Sequence, residues 1–260
     1  MRQCDERRGD ERRGDELRGV VAVDGPAGTG KSTVARRLAA SLGARYLDTG
    51  AMYRAAALGV LRAGVELAEP PVVPDVFSGV VSDVFSGVVA RCHIEVGTDP
   101  DVSRVLLDGE DVSREIRGPA VSTAVSPVSA VARVRELLVA QQRRIIVAAT
   151  ATGGGIVVEG RDIGTVVVPD APLKVFLTAT AAQRAARRAA QDGAADVAEI
   201  RRAVEARDRF DATRATSPMR AAADAVELDT TALDVDAVLS ALRELALARG
   251  LVVLAARGRT

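Results

Sequence analysis

Short apolar runs along the chain alternate with longer stretches in which apolar residues recur at helical spacing. Residues 20–23 form the first run, and a run of this length is typical of a strand buried on both faces. Residues 32–42 follow with apolar positions at the spacing of a helix. Similar apolar runs lie at 46–47, 156–158, 173–177 and 226–228. Strands that alternate with helices predict an α/β fold with a parallel sheet covered on both faces.

Helical patterns fill most of the chain between these strands. Thr49 is a candidate N-cap for a helix that continues to residue 61. Further helices are predicted at 133–144, 181–188, 198–214 and 235–248. Residues 92–96 and 102–107 instead predict two strands, and Asp108-Gly109 predicts a hairpin turn directly after the second of them. Because this hairpin interrupts the alternation, we predict that it belongs to an inserted lobe.

The chain begins with a charged five-residue repeat, at 5–9, 10–14 and 15–19. The repeat has almost no apolar surface to bury, so we predict that 1–18 is a disordered tail. A tandem near-copy at 75–81 and 83–89 is either a helix-forming duplication or a product of drift. The expected organisation is tail 1–18, core 19–62, inserted lobe 63–149, core 150–180, Arg-rich lid 181–215 and core 216–260.

Composition excludes several classes of protein. The 35 basic and 35 acidic residues cancel, and there is no Trp, which argues against a nucleic-acid surface. His93 is the one histidine, so a histidine dyad and a multi-histidine metal site are excluded. Cys4 and Cys92 have no CxxC spacing and offer neither a disulfide framework nor a zinc site. No apolar run approaches 18 residues, and we expect a soluble, cytoplasmic protein that binds no membrane.

A complete phosphate-binding motif, G-x-x-x-x-G-K-[ST], occupies residues 25–32. It follows a predicted strand and opens a predicted helix, which is the structural context that the motif requires. Its glycines allow backbone N–H groups to converge on phosphate oxygens. Lys31 would place a positive charge beside the β- and γ-phosphates, and Ser32 would offer its hydroxyl to Mg²⁺. The motif predicts binding of a nucleoside triphosphate.

Other motifs separate the classes of P-loop protein. No Asp is followed by Gly three residues later, and there is no N-K-x-D loop, so a signalling GTPase is not indicated. Glu159-Gly160-Arg161-Asp162 directly follows the strand predicted at 156–158. Charged residues at the carboxyl end of a parallel strand lie where open α/β sheets bind ligands. A motor-type ATPase would instead show adjacent acidic residues there.

The two helices of the predicted lid are rich in arginine. Arg207, Asp211 and Arg214 are spaced i, i+4, i+7 and share one helix face, as do Arg184, Arg187 and Arg188. The face is either a solvated set of ion pairs or a surface that binds phosphates through planar guanidinium groups. A mobile Arg-rich lid would also exclude water from a transferring phosphoryl group.

Taken together, these segments resemble the bacterial cytidylate kinases, a family of nucleoside monophosphate kinases. The matching segments, in order, are 23–32, 47–54, 107–113, 134–136, 159–167 and 207–214. The resemblance covers about residues 20–245 and implies a P-loop core, a monophosphate-binding lobe and a short lid. It implies ATP binding by Gly25, Pro26, Ala27, Gly28, Thr29, Gly30, Lys31, Ser32 and Thr33.

The resemblance also assigns roles around the acceptor nucleotide. It implies that Thr49 and Arg54 contact the acceptor phosphate and that Ser126, Arg135 and Asp162 read the cytosine. Arg207 and Asp211 would hold the sugar, with Arg161 and Arg214 on phosphates. Lys31, Arg161 and Arg214 are the residues expected to act in catalysis.

The activity implied is transfer of phosphate from ATP to CMP or dCMP, with Mg²⁺, by a monomer. Two alternatives stay open from the residues alone. One is a P-loop kinase for another small acceptor such as UMP or a non-nucleotide metabolite. The other is a regulatory protein that binds a nucleoside triphosphate without transferring phosphate.

Overall fold

A computed structural model describes residues 14–65, 79–192, 196–214 and 216–255. In chain order its strands and helices are β1 (Glu16–Leu17), β2 (Gly19–Asp24), α1 (Lys31–Ser41), β3 (Arg45–Asp48), α2 (Thr49–Arg62), α3 (Gly79–Arg91), β4 (Ile94–Val96), β5 (Val105–Leu107), β6 (Glu110–Asp111), α4 (Pro119–Ala130), α5 (Ala132–Thr150), β7 (Gly155–Glu159), β8 (Leu173–Thr178), α6 (Ala181–Asp192), α7 (Val197–Thr213), β9 (Val226–Asp229), α8 (Val235–Ala248) and β10 (Val252–Val253). A 3-10 turn covers Glu115–Arg117, and a π-helical turn covers Ile163–Val167.

Five parallel strands form the central sheet, in the order β3-β7-β2-β8-β9. The central strands β2 and β7 are buried along most of their length, as their continuous apolar sequences predict. One face of the sheet packs on α1 and α8, with Leu38 and Leu242 fully buried between them. The other face is covered by α5, the start of α2 and the π-helical turn. The predicted α/β class is confirmed.

A second hydrophobic core is built from α2, α3, α4, the start of α5 and the strands β4 and β5, so it includes residues on both sides of the predicted lobe boundary at 62. These strands form an antiparallel sheet, so the predicted hairpin is confirmed and gains a third short strand. Phe85, Leu107 and Ile116 are among the fully buried side chains of this core. Helix α4 has no counterpart among the sequence predictions, since it contains Pro127 and four serine or threonine residues.

The chain start differs from its prediction. Residues 14–18 were expected in the disordered tail, but Glu16–Leu17 forms β1 and pairs antiparallel with β10. Leu17 is buried in the core, and the Asp15 carboxylate pairs with Arg243 on α8. The apolar Leu17 breaks the polar repeat and supplies the surface that the preceding copies lack. The first thirteen residues of the predicted tail lie outside the described residues.

Two smaller expectations also change. Asp48, rather than Thr49, caps α2: its carboxylate accepts a hydrogen bond of 2.9 Å from the Ala51 amide. The second copy of the tandem repeat lies within α3, while residues 75–78 of the first copy are outside the described residues.

In the part of the chain that the structure describes, no helix has both the length and the apolar character needed to cross a membrane.

Candidate active site

The phosphate loop joins β2 to α1 at the carboxyl edge of the sheet. Gly25 has φ of 140°, and a Cβ there would lie 2.2 Å from the Leu177 carbonyl oxygen, so only glycine fits. Gly30 has φ of 89° and precedes the first turn of α1. The loop therefore presents its amides and a helix N-terminus to the cavity, an arrangement that binds phosphate groups.

Lys31 is buried at the base of this loop. Its ammonium group donates a hydrogen bond of 2.6 Å to the Pro26 carbonyl. Burial lowers the pKa of Lys31, and the nearby Arg161 lowers it further, while Glu159 opposes the shift. A polyphosphate beside Lys31 would supply the negative charge that favours its protonated form. The electrostatics of the loop thus suit an anionic ligand.

A buried carboxylate faces the same end of the loop. Glu159, the last residue of β7, accepts a hydrogen bond of 2.5 Å from the Tyr46 hydroxyl. Burial and the neighbouring Asp48 raise the pKa of Glu159, whereas Lys31 and hydrogen bonds from Tyr46 and Ser32 lower it. Mg²⁺ prefers oxygen ligands and takes few of them from protein, the remainder coming from phosphates and water. The Ser32 hydroxyl and the Glu159 carboxylate fit that requirement.

The phosphate loop opens into a cavity of about 240 Å³ whose far wall is rich in arginine. The sequence-predicted residues that line it are Ala27, Gly28, Gly30, Lys31, Ser32, Thr33, Thr49, Arg54, Arg135, Arg161, Asp162, Arg188, Arg207, Asp211 and Arg214. These residues come from the phosphate loop, α1, α2, α5, the segment after β7, α6, α7 and the residue that follows α7. The cavity therefore joins the predicted triphosphate site to most of the predicted acceptor site.

Arg135 and Asp162 form a buried ion pair at the far end of the cavity. Arg135 also donates a hydrogen bond of 3.3 Å to the Ser129 carbonyl, and its guanidinium lies 5.2 Å from the centre of the Tyr53 ring. These contacts fix the Asp162 carboxylate in one orientation. Ser126 does not line this cavity; it lies on the adjoining cleft between α4 and α7, and Ser129 lies in the cavity wall instead.

Asp211 stands among three arginines. Its carboxylate lies 3.3 Å from Arg161, 4.0 Å from Arg207 and 3.7 Å from Arg214. Asp211 is buried, and burial followed by the charge of Arg161 lowers the pKa of Arg207 to about 10. One carboxylate cannot neutralise three guanidinium groups. The cluster therefore keeps an excess of positive charge that faces the cavity.

Thr49 and Arg54 line the cavity where α2 begins. The Thr49 hydroxyl donates a hydrogen bond of 2.7 Å to the Glu159 carbonyl, which leaves its oxygen lone pairs as acceptors. Arg54 donates to the Ile116 carbonyl at 3.2 Å and to the Ser122 hydroxyl at 3.0 Å. Burial and the charge of Arg188 lower the pKa of Arg54 to about 10. Arg54 thus remains a cation without a bonded carboxylate among the described residues.

The three arginines predicted on one face of the lid separate into two groups. Arg184 binds the Ala27 carbonyl and pairs with Asp208, and Arg187 binds the carbonyls of Thr29 and Thr230. Both fasten α6 to the outside of the phosphate loop. Arg188 alone reaches the cavity wall.

Some cavity residues were given no site role from the sequence, although Glu159 was noted there at the end of a predicted strand. Asp48, Glu159 and Arg117 line the cavity, and Arg117 lies 3.8 Å from the Asp48 carboxylate. The position of Glu159 at the end of a buried strand was a usable signal for a ligand-facing carboxylate. Nothing comparable marks Arg117, because its place in the cavity depends on how the 3-10 turn packs against α2.

The fold and the cavity together define a P-loop protein whose phosphate loop opens into a second, arginine-rich pocket. The family model for cytidylate kinase matches residues 21–247. A cytidylate kinase from Rhodococcus opacus (strain B4) is 55% identical over 227 residues, covering 86% of this chain and 92% of that protein. One from Nocardia farcinica (strain IFM 10152) is 54% identical over 227 residues, covering 86% and 91% respectively.

The chain belongs to the cytidylate kinase family. The resemblance found in its motifs is therefore confirmed. Among solved structures, a gluconokinase from Sinorhizobium meliloti 1021 aligns with a TM-score of 0.44 and 15% identity, covering 91% of this chain and 95% of that one. The family assignment rests on the sequence relatives.

Proposed function

We propose that this protein transfers the γ-phosphoryl group of ATP to CMP or dCMP, giving ADP and CDP or dCDP. The observation that carries the proposal is the single cavity that joins the phosphate loop to the Arg135–Asp162 pair. A triphosphate on Lys31 and a base on Asp162 would place the acceptor phosphate between them, beside Arg54 and Arg161. Membership of the cytidylate kinase family supports the same assignment.

Transfer requires an oxygen of the acceptor phosphate to attack the γ-phosphorus in line with the departing β–γ bridging oxygen. One P–O bond forms and one breaks, and the electron pair leaves on ADP. An acceptor phosphate is largely dianionic near pH 7, since its second pKa is about 6, so no strong general base is needed. The chain supplies positioning and neutralising charge through Lys31, Arg161 and Arg214.

Mg²⁺ belongs to the proposal as the ion that neutralises the β- and γ-phosphates when ATP is bound. The Ser32 hydroxyl would hold it directly, and Glu159 would orient its water ligands from the end of β7. The described residues contain no group of three or more acidic, histidine or cysteine side chains that would bind a metal by itself. This agrees with an ion that arrives with the nucleotide.

Recognition of cytosine is assigned to Asp162. Its carboxylate can accept a hydrogen bond from the cytosine 4-amino group, whereas the carbonyl oxygen of uracil would face it lone pair to lone pair. The ion pair with Arg135 orients the Asp162 carboxylate. We also propose, from the sequence alone, that the protein acts as a cytoplasmic monomer.

An ADP-release assay across acceptors tests the proposal. The protein is incubated with ATP and Mg²⁺ and with CMP, dCMP, UMP, AMP or no acceptor. ADP release that depends on CMP or dCMP is the expected result. Release that depends only on UMP would indicate the alternative acceptor, and nucleotide binding without acceptor-dependent release would indicate a regulatory protein. Lys31→Ala serves as the control for contaminating kinases.

A further inference from the structure

The phosphate loop and the turn that carries Arg161 and Asp162 are connected through one buried carboxylate. Asp24 is the last residue of β2 and directly precedes Gly25 of the phosphate loop. Its side chain is buried and lies outside the cavity wall. It has no part in the roles assigned to substrate-binding residues, so its contacts call for a separate explanation.

Both oxygens of Asp24 are used by the same short segment. Oδ1 accepts a hydrogen bond of 2.8 Å from the Ile163 amide, and Oδ2 accepts one of 2.7 Å from the Gly164 amide. These amides are the first two of the π-helical turn Ile163–Val167, which has no cap from the side chain of Asp162. A helix start leaves such N–H groups without partners, and a carboxylate is a strong acceptor for them. Asp24 is thus a cap supplied by another strand.

The turn also packs on a second side chain from the same face of the sheet. A Cβ on Gly164 would lie 3.1 Å from the Lys174 Cδ, so the backbone of the turn lies directly on that side chain. The Lys174 ammonium is in turn held by both carboxylate oxygens of Asp224 at 2.8 Å. Asp24 and Lys174 therefore both contact the turn from the sheet face that it covers, and Asp162 lies immediately before the amides that Asp24 holds.

Burial of the Asp24 carboxylate lowers the stability of the folded protein. Burial raises the pKa of Asp24 to about 6, although the hydrogen bonds from Gly164 and Ile163 oppose the shift. Asp162 adds to the increase and Lys31 reduces it. Near pH 7 the buried charge destabilises the folded state relative to a neutral group. A group that lowers stability but orders a ligand-binding turn is expected where function opposes stability.

We propose that Asp24 is a positioning residue for the acceptor nucleotide: it fixes the 161–164 turn so that Asp162 faces the base and Arg161 faces the phosphates. It does so from the strand that carries the phosphate loop, and the two binding regions therefore share one rigid support. The inference rests on the proposed function, because it takes the ligand of Asp162 to be a nucleoside monophosphate.

The test compares dissociation constants for CMP and for ATP, measured separately by calorimetry, in wild type, Asp24→Asn and Asp234→Asn. The amide of Asp24→Asn accepts from one backbone N–H but turns its own NH₂ toward the other. We expect it to raise the dissociation constant for CMP about tenfold or more, the size of effect typical of a lost hydrogen bond to a charged group. The ATP constant should stay within about threefold of wild type, and the melting temperature should not fall.

Asp234→Asn is the matched control, because Asp234 caps α8 through the Ala237 amide, is exposed and does not line the cavity. It should leave both dissociation constants unchanged. Asp24→Ser also removes one acceptor but is smaller. If Asp24→Asn does not fold, Asp24→Ser should raise the dissociation constant for CMP while leaving that for ATP nearly unchanged.

Parallel weakening of CMP and ATP with a lower melting temperature would show that Asp24 is merely structural. No change in either constant would overturn the proposal as well. If wild type uses another nucleoside monophosphate, the same comparison is made with that acceptor. Failure of the proposed function is therefore seen in the wild type, and failure of this inference is seen in the variants.

Discussion

At the scale of single residues, cations in this protein fall into paired and unpaired groups. Lys174 is bound by Asp224, and Arg135 by Asp162, whereas Lys31 and Arg54 bond only backbone carbonyls or a hydroxyl among the described residues. Lys31 and Arg54 line the space proposed for phosphates, together with the three arginines that share the Asp211 carboxylate. An unpaired buried cation destabilises the free protein and is compensated when an anionic ligand binds.

Lys31→Ala tests both consequences of an unpaired cation: its contribution to phosphate transfer and its effect on the stability of the free protein. Removing the ammonium group should lower turnover by at least about 100-fold, because it neutralises charge that develops during transfer. The melting temperature without ligand should not fall, since the lowered pKa of Lys31 shows that its charge is unfavourable in the empty site. Turnover is measured by ADP release and stability by thermal unfolding. A variant that keeps a tenth of wild-type turnover would remove Lys31 from its assigned role.

Asp162→Asn tests base recognition. Wild type should prefer CMP over UMP by about tenfold or more in kcat/KM, which corresponds to about 1.4 kcal/mol. The asparagine amide can turn its NH₂ toward the uracil oxygen, so the variant should narrow that preference. Asp236→Asn changes an exposed partner of Arg37 and is the control. Parallel loss of activity on both nucleotides would contradict the assignment of Asp162 to the base.

At the scale of elements, helix α7 carries two buried or half-buried carboxylates with different partners. Asp208 pairs with Arg184, which fastens the lid helices to the phosphate loop, while Asp211 stands among the cavity arginines. Asp211→Ala should raise KM for CMP several-fold more than KM for ATP. Asp208→Ala, on the same helix, should lower the melting temperature and change the two constants in proportion. Equal changes in both constants for Asp211→Ala would indicate a structural ion pair.

The pairing of β1 with β10 gives a second prediction at this scale. A chain that starts at Arg18 loses Leu17 from the core and the pair between Asp15 and Arg243. Burial of a leucine contributes about 1.5–3 kcal/mol, so the melting temperature should fall by roughly 5 °C or more. A chain that starts at Gly14 keeps these contacts and should have the same melting temperature as the full-length protein. Equal melting of both truncated chains would show that β1 contributes nothing to stability.

At the scale of the whole molecule, local patterns predicted most of the sheet and the phosphate loop. The buried strands are continuous apolar runs, and the loop requires its glycines at fixed positions, so both can be recognised without tertiary information. Features that depend on packing could not be predicted in this way. Helix α4 contains Pro127, and β1 exists only because β10, more than 230 residues later, lies beside it.

In the site, too, some features could be predicted from local sequence and others depend on packing. Lys31, Arg135, Asp162 and Asp211 were expected from motifs, and the structure brings them to one cavity. Motif spacing could not show that Ser129 rather than Ser126 lines it, because that depends on the rotation of α4. Nor could it show that Arg184 and Arg187 bond the outside of the phosphate loop while Arg188 faces inward. Helix faces become distinguishable only after their neighbours are known.

The proposed reaction moves a phosphoryl group from ATP to CMP within one cavity. The most direct measurement follows the γ-phosphate itself, with γ-labelled ATP, Mg²⁺ and CMP and with the products separated by chromatography. The label should appear in CDP, one for each ADP formed, and Lys31→Ala should abolish the transfer. Label found only in inorganic phosphate, or ADP formed at the same rate without CMP, would contradict it.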